Sequence, residues 1–349
     1  MKPIVIHDKK ISAEHPCFII AELSANHNKD IEKAKRLIAL AKDAGADAVK
    51  VQTYTPETMT LNCDNEYFRI NEGPWKGQTL YELYNTAFMP WEWQRELKCV
   101  ADSLGIVFIS TPFDSASVDF LESIEVPAYK IASFELVDLP LLKYVASKKK
   151  PVILSTGMGS LAEIEAAVAV VKEQGNNQII LLKCTSDYPA LPKEMNLKNI
   201  SLLQSTFNVY TGLSDHSLFN EVSVAAVTLG AKVIEKHFTE KRSDGGPDAH
   251  FSLESQEFAV LVKNIRIVEE AMRGNGFVLT SGELKNKMFR RSIFAARKIT
   301  RGEVLTTQNI RVIRPGNGLA PKYYELILGK AAKRDIEFGE PVSWGHIDI

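Results

Sequence analysis

Residues 151–185, PVILSTGMGSLAEIEAAVAVVKEQGNNQIILLKCT, contain the unit that decides the fold. They begin with a short apolar run, continue into a helical segment from Ser160 to Gly175, and end in a second apolar run. Ser160 and Glu163 have the spacing of a capping box, and glycine commonly follows the last turn of a helix. This order predicts a strand, a helix and a second strand.

The same unit recurs along the chain. Short apolar runs, which are typical of buried strands, occupy eight stretches: 17–23, 47–54, 106–111, 128–133, 151–156, 178–185, 209–216 and 232–238. Eight strand–helix units within about 270 residues match the size and count of a (β/α)8 TIM barrel. A doubly wound sheet usually carries a G-x-G-x-x-G turn after its first strand, and no such turn follows residues 17–23. The predicted fold class is therefore α/β, a TIM barrel.

The pattern changes outside these units. Residues 1–275 are predicted to form the catalytic barrel, 276–288 a polar linker, and 289–349 a small β-rich domain. An aromatic-rich insertion, residues 55–90, follows the second strand and belongs on the rim of the barrel where the active site lies. At about 60 residues, the last domain is marginal alone and is expected to pack on a partner surface.

The composition excludes several classes of protein. The 349 residues are 45% hydrophobic and 24% charged, with a formal net charge of −1. This charge does not favour a nucleic-acid or membrane-surface partner, and no apolar run approaches the roughly 20 residues that cross a bilayer. The four cysteines lack the paired spacing of a zinc site or a disulfide framework. We expect a cytoplasmic protein without nucleic-acid or membrane partners.

Polar side chains come late in every predicted strand, which is where TIM barrels place their active sites. In chain order they are Glu22; Lys50 and Gln52; Ser110 and Thr111; Lys130, Ser133 and Glu135; Ser155 and Thr156; Thr185; Ser214 and His216; and Glu235 and His237. Lysines among hydroxyl groups suit a phosphate or carboxylate anion. Because all eight strands show this order, it predicts an active site that binds an anion.

Some of these residues also have structural interpretations. Lys50 and Lys130 would serve as internal partners of Glu22 or Glu235, although buried ion pairs stabilise proteins weakly. Thr156 is better interpreted as a helix cap. For Thr185 the alternative interpretation is that it only ends a strand.

Two histidines close consecutive strands. Adjacent strands lie about 4.8 Å apart, so His216 and His237 are placed to converge on one ion, and imidazole ligands favour Mn, Fe, Co or Zn over Mg or Ca. In VIEKHF, residues 233–238, alternation puts Glu235 and His237 on the interior face and Lys236 on the outer face. Glu235 is expected to orient or tune the site, and Lys236 to pair outside the barrel.

The motifs at these positions strongly resemble the sialic acid synthase family. They are IAELSANHN (20–28), AVKVQTYTPE (48–57), STPFD (110–114), YKIASFE (129–135), STGM (155–158), LKCTSDYP (182–189), GLSDHS (212–217) and VIEKHF (233–238). Residues 289–321 resemble the family's antifreeze-like (SAF) domain, so the resemblance covers essentially the whole chain. It implies an enzyme that condenses phosphoenolpyruvate (PEP) with an N-acetylated amino-deoxyhexose to make a nine-carbon 2-keto acid.

Within the family, AELSANH and the rim insertion resemble the branch that makes pseudaminic acid. The alternatives are N-acetylneuraminate or legionaminic acid synthesis, with the same chemistry on another hexose. An inactive sugar-binding protein is the alternative outside the enzymes. In the insertion, Tyr67, Phe68, Trp75 and Tyr81 are candidate contacts to the sugar, with packing inside the loop as the other interpretation.

The resemblance also implies roles for individual residues. His216 and His237 correspond to ligands of a divalent metal, with Mn2+ expected and Co2+, Fe2+ or Mg2+ as alternatives. Glu22 and Glu235 are candidate catalytic carboxylates, and the residues expected around PEP are Lys50, Lys130, Thr111, Ser133, Ser155 and Ser214, with Glu135 and Thr185 beside them. Tyr188 and Asp248 correspond to sugar contacts. Arg314 corresponds to an arginine that the SAF domain contributes to the other subunit, which implies a domain-swapped homodimer.

Overall fold

The computed structural model describes residues 1–73, 75–274 and 276–348. The chain forms two compact units, Met1–Arg273 and Gly274–Ile349. The first unit holds the predicted strand–helix repeats, and each unit has its own hydrophobic core.

The first unit is a closed TIM barrel. A short antiparallel hairpin, β1 (Ile4–Ile6) and β2 (Lys9–Ile11), comes first. Eight parallel strands then pair in chain order, and the last pairs with the first. They are β3 (Phe18–Glu22), β4 (Ala48–Thr53), β5 (Val107–Pro112), β6 (Tyr129–Ile131), β7 (Val152–Ser155), β8 (Ile179–Cys184), β9 (Tyr210–Asp215) and β10 (Val233–Thr239). Each predicted apolar run contains one of these strands, so the fold prediction is confirmed.

Helices cover the outside of the barrel, apart from two short ones that belong to the rim insertion, residues 55–90. They are α1 (Ile31–Asp43), α2 (Pro56–Met59), α3 (Leu80–Ala87), α4 (Trp91–Leu104), α5 (Ser115–Ser123), α6 (Leu139–Ser147), α7 (Leu161–Glu173), α8 (Asn199–Phe207), α9 (Asn220–Thr228) and α10 (Ser255–Met272), with a short strand β11 (Leu253–Glu254) before the last. Helix α7 begins with the predicted capping box, because Ser160 Oγ accepts the Glu163 N–H and Glu163 Oε2 accepts the Ser160 N–H. Such a cap is worth about 1 kcal/mol.

The barrel interior changes from apolar to polar along its axis. Interior residues in the N-terminal halves of the strands form an apolar cluster that also includes Ile4, Ile6 and Ile11 of the hairpin. Because side chains alternate across a strand, the next interior position lies two residues later. This step leads from Ile20 to Glu22, from Ala48 to Lys50 and from Ile153 to Ser155, and in β9 the polar residue, Ser214, comes four positions after Tyr210. The core therefore closes one end of the barrel, and the polar groups are collected at the other.

The second unit is small and built from short strands. It contains α11 (Ser281–Asn286), an antiparallel pair of strands, β12 (Ser292–Ala295) and β13 (Ile310–Ile313), and α12 (Tyr324–Ile327). Isolated bridges such as Ile299–Ile336 and Val304–Ala331 extend the β structure. The segment predicted to be a linker, 276–288, contains α11 and belongs to this unit.

A helix that spans a membrane needs about 20 mostly apolar residues. In the part of the chain that the structure describes, no helix is long and apolar enough to cross a bilayer. The cytoplasmic location stays a prediction.

Candidate active site

Two carboxylates and two ammonium groups lie together inside the C-terminal end of the barrel. Lys50 Nζ is 2.8 Å from Glu22 Oε2 and 3.8 Å from Glu235 Oε1. Lys130 Nζ is 3.5 Å from the same oxygen of Glu235. Side chains from β3, β4, β6 and β10 therefore form one continuous chain of charges, and all four are buried. We call these four residues the central cluster.

Burial and neighbouring charges act in opposite directions on the cluster. Burial raises the pKa of Glu22 despite the nearby Lys50 ammonium. At Glu235 burial also favours the neutral form, but Lys130 and Lys50 outweigh it, and the pKa is lowered. Burial lowers the pKa of Lys130. At Lys50 burial is outweighed by the carboxylates of Glu22 and Glu235, so the pKa is raised. Glu22 is therefore the carboxylate better suited to carry a proton, and Glu235 the one that stays ionised.

Three hydroxyl groups surround the central cluster. Lys50 Nζ donates to Thr111 Oγ1 at 3.1 Å, and Lys130 Nζ donates to Ser155 Oγ at 2.7 Å. Ser214 Oγ donates to Glu235 Oε1 at 3.4 Å. All three hydroxyls are buried. Each lysine therefore lies beside a neutral donor, the combination that binds phosphate and carboxylate oxygens.

The two predicted imidazoles lie beside each other at the same end. The rings of His216 and His237 have centroids 5.4 Å apart. The Tyr188 ring lies 4.4 Å from that of His216, and the Phe251 ring 4.7 Å from that of His237. The structure thus brings the two histidines together with Tyr188, one of the predicted sugar contacts, in a partly aromatic environment.

The chemistry of the two imidazoles fits a divalent metal. His216 Nδ1 is 2.9 Å from the Thr185 carbonyl oxygen, so this nitrogen donates and Nε2 is the nitrogen available to a metal. Burial opposes a charge on the ring, but Cys184 and the Thr185 carbonyl outweigh it and raise the pKa of His216, so a metal would displace the Nε2 proton. His237 Nδ1 is buried and has no hydrogen-bond partner among the described residues. Burial lowers the pKa of His237 well below its usual value, which favours the neutral, ligating form.

The protein itself offers only a partial set of metal ligands at this position. Within 1–73, 75–274 and 276–348, no group of three or more His, Cys, Asp or Glu side chains is arranged to hold a metal ion. A metal on the histidine pair would thus leave positions for substrate or water, as catalytic metal sites do.

Cys184 lies between the histidines and the lysines and was not predicted. Its Sγ is 4.0 Å from His216 Nδ1. Burial raises the pKa of this thiol, but His216 outweighs the effect and brings the pKa to about 6. The strand pattern contained a signal for this position, because Cys184 follows Leu182 by two residues and so shares its interior face.

The loops after β6 and β7 approach each other at the edge of the site. The Gly157 N–H donates to Ser133 Oγ at 3.0 Å. A Cβ atom at Gly157 would lie 2.1 Å from Ser186 Oγ and 2.6 Å from Ser133 Oγ, so only glycine permits this approach. Burial raises the pKa of Glu135, which lies in the same loop as Ser133, to about 7.

Thr185 is placed differently from the other predicted residues. Its hydroxyl accepts a hydrogen bond from Lys183 at 3.2 Å rather than contacting the central cluster. Its carbonyl oxygen contacts the His216 ring instead. The Thr185 side chain thus lies apart from the hydroxyls of Thr111, Ser155 and Ser214. Thr185 contacts the site through its carbonyl oxygen, which accepts from His216.

A polar chain connects Glu22 to Asp248, the second predicted sugar contact. Gln52 Nε2 donates to Glu22 Oε1 at 2.9 Å and to Ser24 Oγ at 3.1 Å. Ser24 Oγ in turn donates to Asp248 Oδ2. Gln52 was recognised from the sequence only as a late polar residue on the strand face of Lys50, without a role of its own, and Ser24 was not predicted. Ser24 carried no signal because it lies in a turn after β3.

Two groups of predicted residues do not belong to the barrel strands. Arg314 follows β13 in the second unit, where its side chain is exposed. In the rim insertion, Tyr81 donates to Glu57 Oε1 at 2.6 Å, whereas Tyr67 is 81% exposed. Phe68 and Trp75 are half-buried. Loop packing therefore accounts for Tyr81, while Tyr67 is available to a ligand.

Comparisons with known proteins agree with this geometry. The NeuB family profile matches residues 37–276, and the SAF domain profile matches residues 290–348. Pseudaminic acid synthase of Campylobacter jejuni (strain 81-176) is 45% identical over 333 residues, 95% of each chain. N,N'-diacetyllegionaminic acid synthase of Legionella pneumophila is 38% identical, also over 95% of each chain. The solved N-acetylneuraminic acid synthetase of Leptospira borgpetersenii is 33% identical with a TM-score of 0.73, covering 82% of this chain and 95% of its own.

Proposed function

The chain belongs to the NeuB family of synthases, which condense PEP with a sugar, and from this premise we propose that it is a pseudaminic acid synthase. Its reaction joins PEP to 2,4-diacetamido-2,4,6-trideoxy-L-altrose and water, and releases pseudaminic acid and phosphate. The observation that carries the choice of sugar is the identity of 45% to a pseudaminic acid synthase, against 38% to a legionaminic acid synthase. The complete central cluster supports an active enzyme over an inactive sugar-binding protein.

In this proposal the two lysines hold PEP. Lys50 and Lys130 carry the positive charges, and the hydroxyls of Thr111 and Ser155 lie within hydrogen-bonding distance of them. An incoming phosphate or carboxylate group would compete with Glu22 and Glu235 for the same ammonium protons. Since burial already favours the neutral form of Glu22, that residue would accept the proton that such competition requires.

The metal and the acceptor sugar would meet at the histidines. His216 and His237 would hold the divalent ion, which when bound supplies a Lewis acid for the aldehyde oxygen of the open-chain sugar. Tyr188 and Asp248 lie on the same side and would orient the sugar. PEP C3 attacks the aldehyde carbon, water adds at PEP C2, and phosphate leaves with cleavage of its C–O bond. Glu22 is the candidate for moving the proton of that water.

Incubation with different hexoses tests the choice of acceptor. In the presence of PEP and Mn2+, we expect phosphate release with 2,4-diacetamido-2,4,6-trideoxy-L-altrose and much less with N-acetylmannosamine or the legionaminic acid precursor. The physical reason is that a site which packs against the methyl group of a 6-deoxy sugar distinguishes it from a hydroxymethyl group by about 100-fold. Phosphate would be measured continuously, and the product identified by mass spectrometry.

Reactions without sugar and without PEP are the controls. Release only with N-acetylmannosamine would exclude the pseudaminic acid assignment while leaving the enzyme class intact. No release with any of the three sugars would argue against a synthase.

We also propose a domain-swapped homodimer in which Arg314 enters the partner's active site. The support is the SAF match over residues 290–348 and the exposed apolar side chains after the barrel strands, Phe134, Val137, Met158, Leu191 and Phe219. These side chains follow β6, β7, β8 and β9 and so belong to the same end of the barrel, where exposed apolar groups suit an interface.

Co-expression of two inactive variants tests this arrangement. An Arg314→Ala chain keeps an intact barrel, and a His237→Ala chain keeps an intact Arg314. In a mixed dimer one of the two sites would be complete, so dimers purified through both tags should show about half of the wild-type activity. Specific activity of the co-purified chains, each carrying a different affinity tag, is the measurement. If the mixed dimer forms and stays as inactive as the parents, Arg314 does not act in the partner's site.

A further inference from the structure

A buried ion pair lies directly behind the two histidines. Asp215 precedes His216 and Lys236 precedes His237 in the chain. Lys236 Nζ is 2.7 Å from Asp215 Oδ2, and both residues are 1% exposed. Because side chains alternate across a strand, this pair faces the helices while the histidines face the interior. The proposed reaction makes no use of it.

The pair stands where the backbone ladder between β9 and β10 ends. Paired positions run from Val233 and Gly212 to Lys236 and Asp215, and stop there. His216 and His237 are the next residues, so no backbone pairing between the two strands fixes the distance between them. The ion pair connects the strands at the last position before the histidines.

Asp215 also holds the chain beyond His216. Its Oδ1 accepts the Ser217 N–H at 2.9 Å, and its Oδ2 accepts the Ser223 hydroxyl of α9 at 2.6 Å. Lys236 Nζ donates to Ser217 Oγ at 3.4 Å. The ion pair therefore supplies or holds the residues on both sides of His216, which are Asp215 and Ser217. Its other member, Lys236, is the residue before His237.

Stability alone does not account for this arrangement. Replacing a buried ion pair by apolar side chains of similar volume is often neutral or stabilising, because the pair must first be desolvated. Groups that orient metal ligands, in contrast, commonly change metal affinity by about 10 to 100-fold when they are removed. We infer that Asp215 and Lys236 are positioning residues that hold His216 and His237 at the spacing needed to share one divalent metal ion. The inference rests on the proposed function, since it assumes that the histidines bind the metal.

The test is a double variant of the full-length protein, Asp215→Leu with Lys236→Met, which removes both charges together. Mn2+ affinity would be measured by electron paramagnetic resonance of the free ion, and PEP affinity by calorimetry without metal. We expect Mn2+ affinity to fall about 10 to 100-fold, with PEP affinity close to the wild-type value. The melting temperature of the metal-free protein should fall only modestly, because the Ser217 N–H and the Ser223 hydroxyl lose their acceptor.

A matched control separates positioning from general damage. Arg266 NH2 is 2.9 Å from Asp47 Oδ2, and Asp47 also accepts the Ile19 N–H, so this pair likewise connects a helix to the barrel wall. It lies where β3 and β4 begin, at the opposite end of the barrel. The Asp47→Leu, Arg266→Met variant should keep its Mn2+ affinity.

Three results would contradict the proposals, and they are distinguishable. Wild-type Mn2+ affinity in the folded Asp215→Leu, Lys236→Met variant would overturn the positioning role. A parallel loss of Mn2+ affinity, PEP affinity and melting temperature would also overturn it, because that pattern indicates a merely structural pair. Wild-type Mn2+ affinity in a His216→Ala, His237→Ala variant would instead overturn the metal site itself.

A second variant serves as the test if the Asp215→Leu, Lys236→Met protein does not fold. Asp215→Asn with Lys236→Met keeps the shape at position 215 and an oxygen acceptor for the Ser217 N–H, but lacks the ion pair. The same Mn2+ and PEP measurements apply to it. A fall of Mn2+ affinity alone supports positioning, and an unchanged affinity overturns it.

Discussion

Replacing Lys50 with methionine is expected to lower kcat/KM by about 100 to 1000-fold, the usual effect of removing one preorganised charge from an active site. The same change should lower stability by about 3–5 kcal/mol, because it breaks a buried ion pair on one side only. Lys50 lies 2.8 Å from Glu22 and 3.8 Å from Glu235, and both carboxylates would lose this ammonium group. PEP affinity, steady-state kinetics and thermal unfolding are the measurements.

The two effects separate the two interpretations of this lysine. If Lys50 only neutralised Glu22, the Lys50→Met variant would be less stable but would bind PEP as the wild type does. Lys150→Met is the control, since Lys150 Nζ is 2.6 Å from Glu122 at the opposite end of the barrel. That variant should keep its activity and lose at most about 1 kcal/mol, as expected for a partly exposed pair.

Replacing His237 with alanine is expected to remove divalent metal binding and to lower kcat by at least about 1000-fold, because Lewis-acid stabilisation is worth several kcal/mol. PEP affinity in the absence of metal should stay near the wild-type value, since Lys50 and Lys130 are hydrogen-bonded to Thr111 and Ser155 and not to the His237 ring. Removing the ring also removes its packing against His216 and Phe251, which should cost about 2–5 kcal/mol of stability. Calorimetric titration with Mn2+ and with PEP would measure both affinities.

An equivalent change far from the site provides the reference for His237→Ala. His15 hydrogen-bonds Ser12 through its Nδ1 in the segment before β3, at the other end of the barrel. The His15→Ala variant should bind Mn2+ and turn over normally. A His237→Ala protein with full metal content and full activity would refute the ligand assignment.

The sequence predicted the barrel well because strands, interior faces and helix ends each depend on residues that are close together in the chain. An apolar run with a late polar residue, as in the segment from Ile20 to Glu22, reveals both the strand and the interior face. Helix boundaries followed from side-chain caps such as Ser160 and Glu163. The segment 276–288 was less predictable, because its residues 281–286, SGELKN, are mostly polar and yet form a helix, α11.

Most residues of the candidate site were predictable one by one, but most of the hydrogen bonds that connect them were not. Lys50 and Glu22 stand at the ends of neighbouring strands, so their contact was foreseeable. Gln52 was visible on the same face as Lys50, but only the structure shows that it connects Glu22 to Ser24. The placement of the Thr185 hydroxyl against Lys183 could not be read from the strand pattern, because it depends on how the chain leaves the strand.

VIEKHF, residues 233–238, separates what the sequence determines from what only the tertiary structure decides. Strand alternation by itself determined that Glu235 and His237 face one side and Lys236 the other, because that periodicity is a property of the extended backbone. The sequence likewise determined the order of strands and the end of the barrel at which polar groups collect. Only the tertiary structure decided that Glu235 lies between two lysines and that Lys236 pairs with Asp215, 21 positions earlier. Such contacts depend on strand register and barrel closure, which join residues distant in the chain and leave no local signal in it.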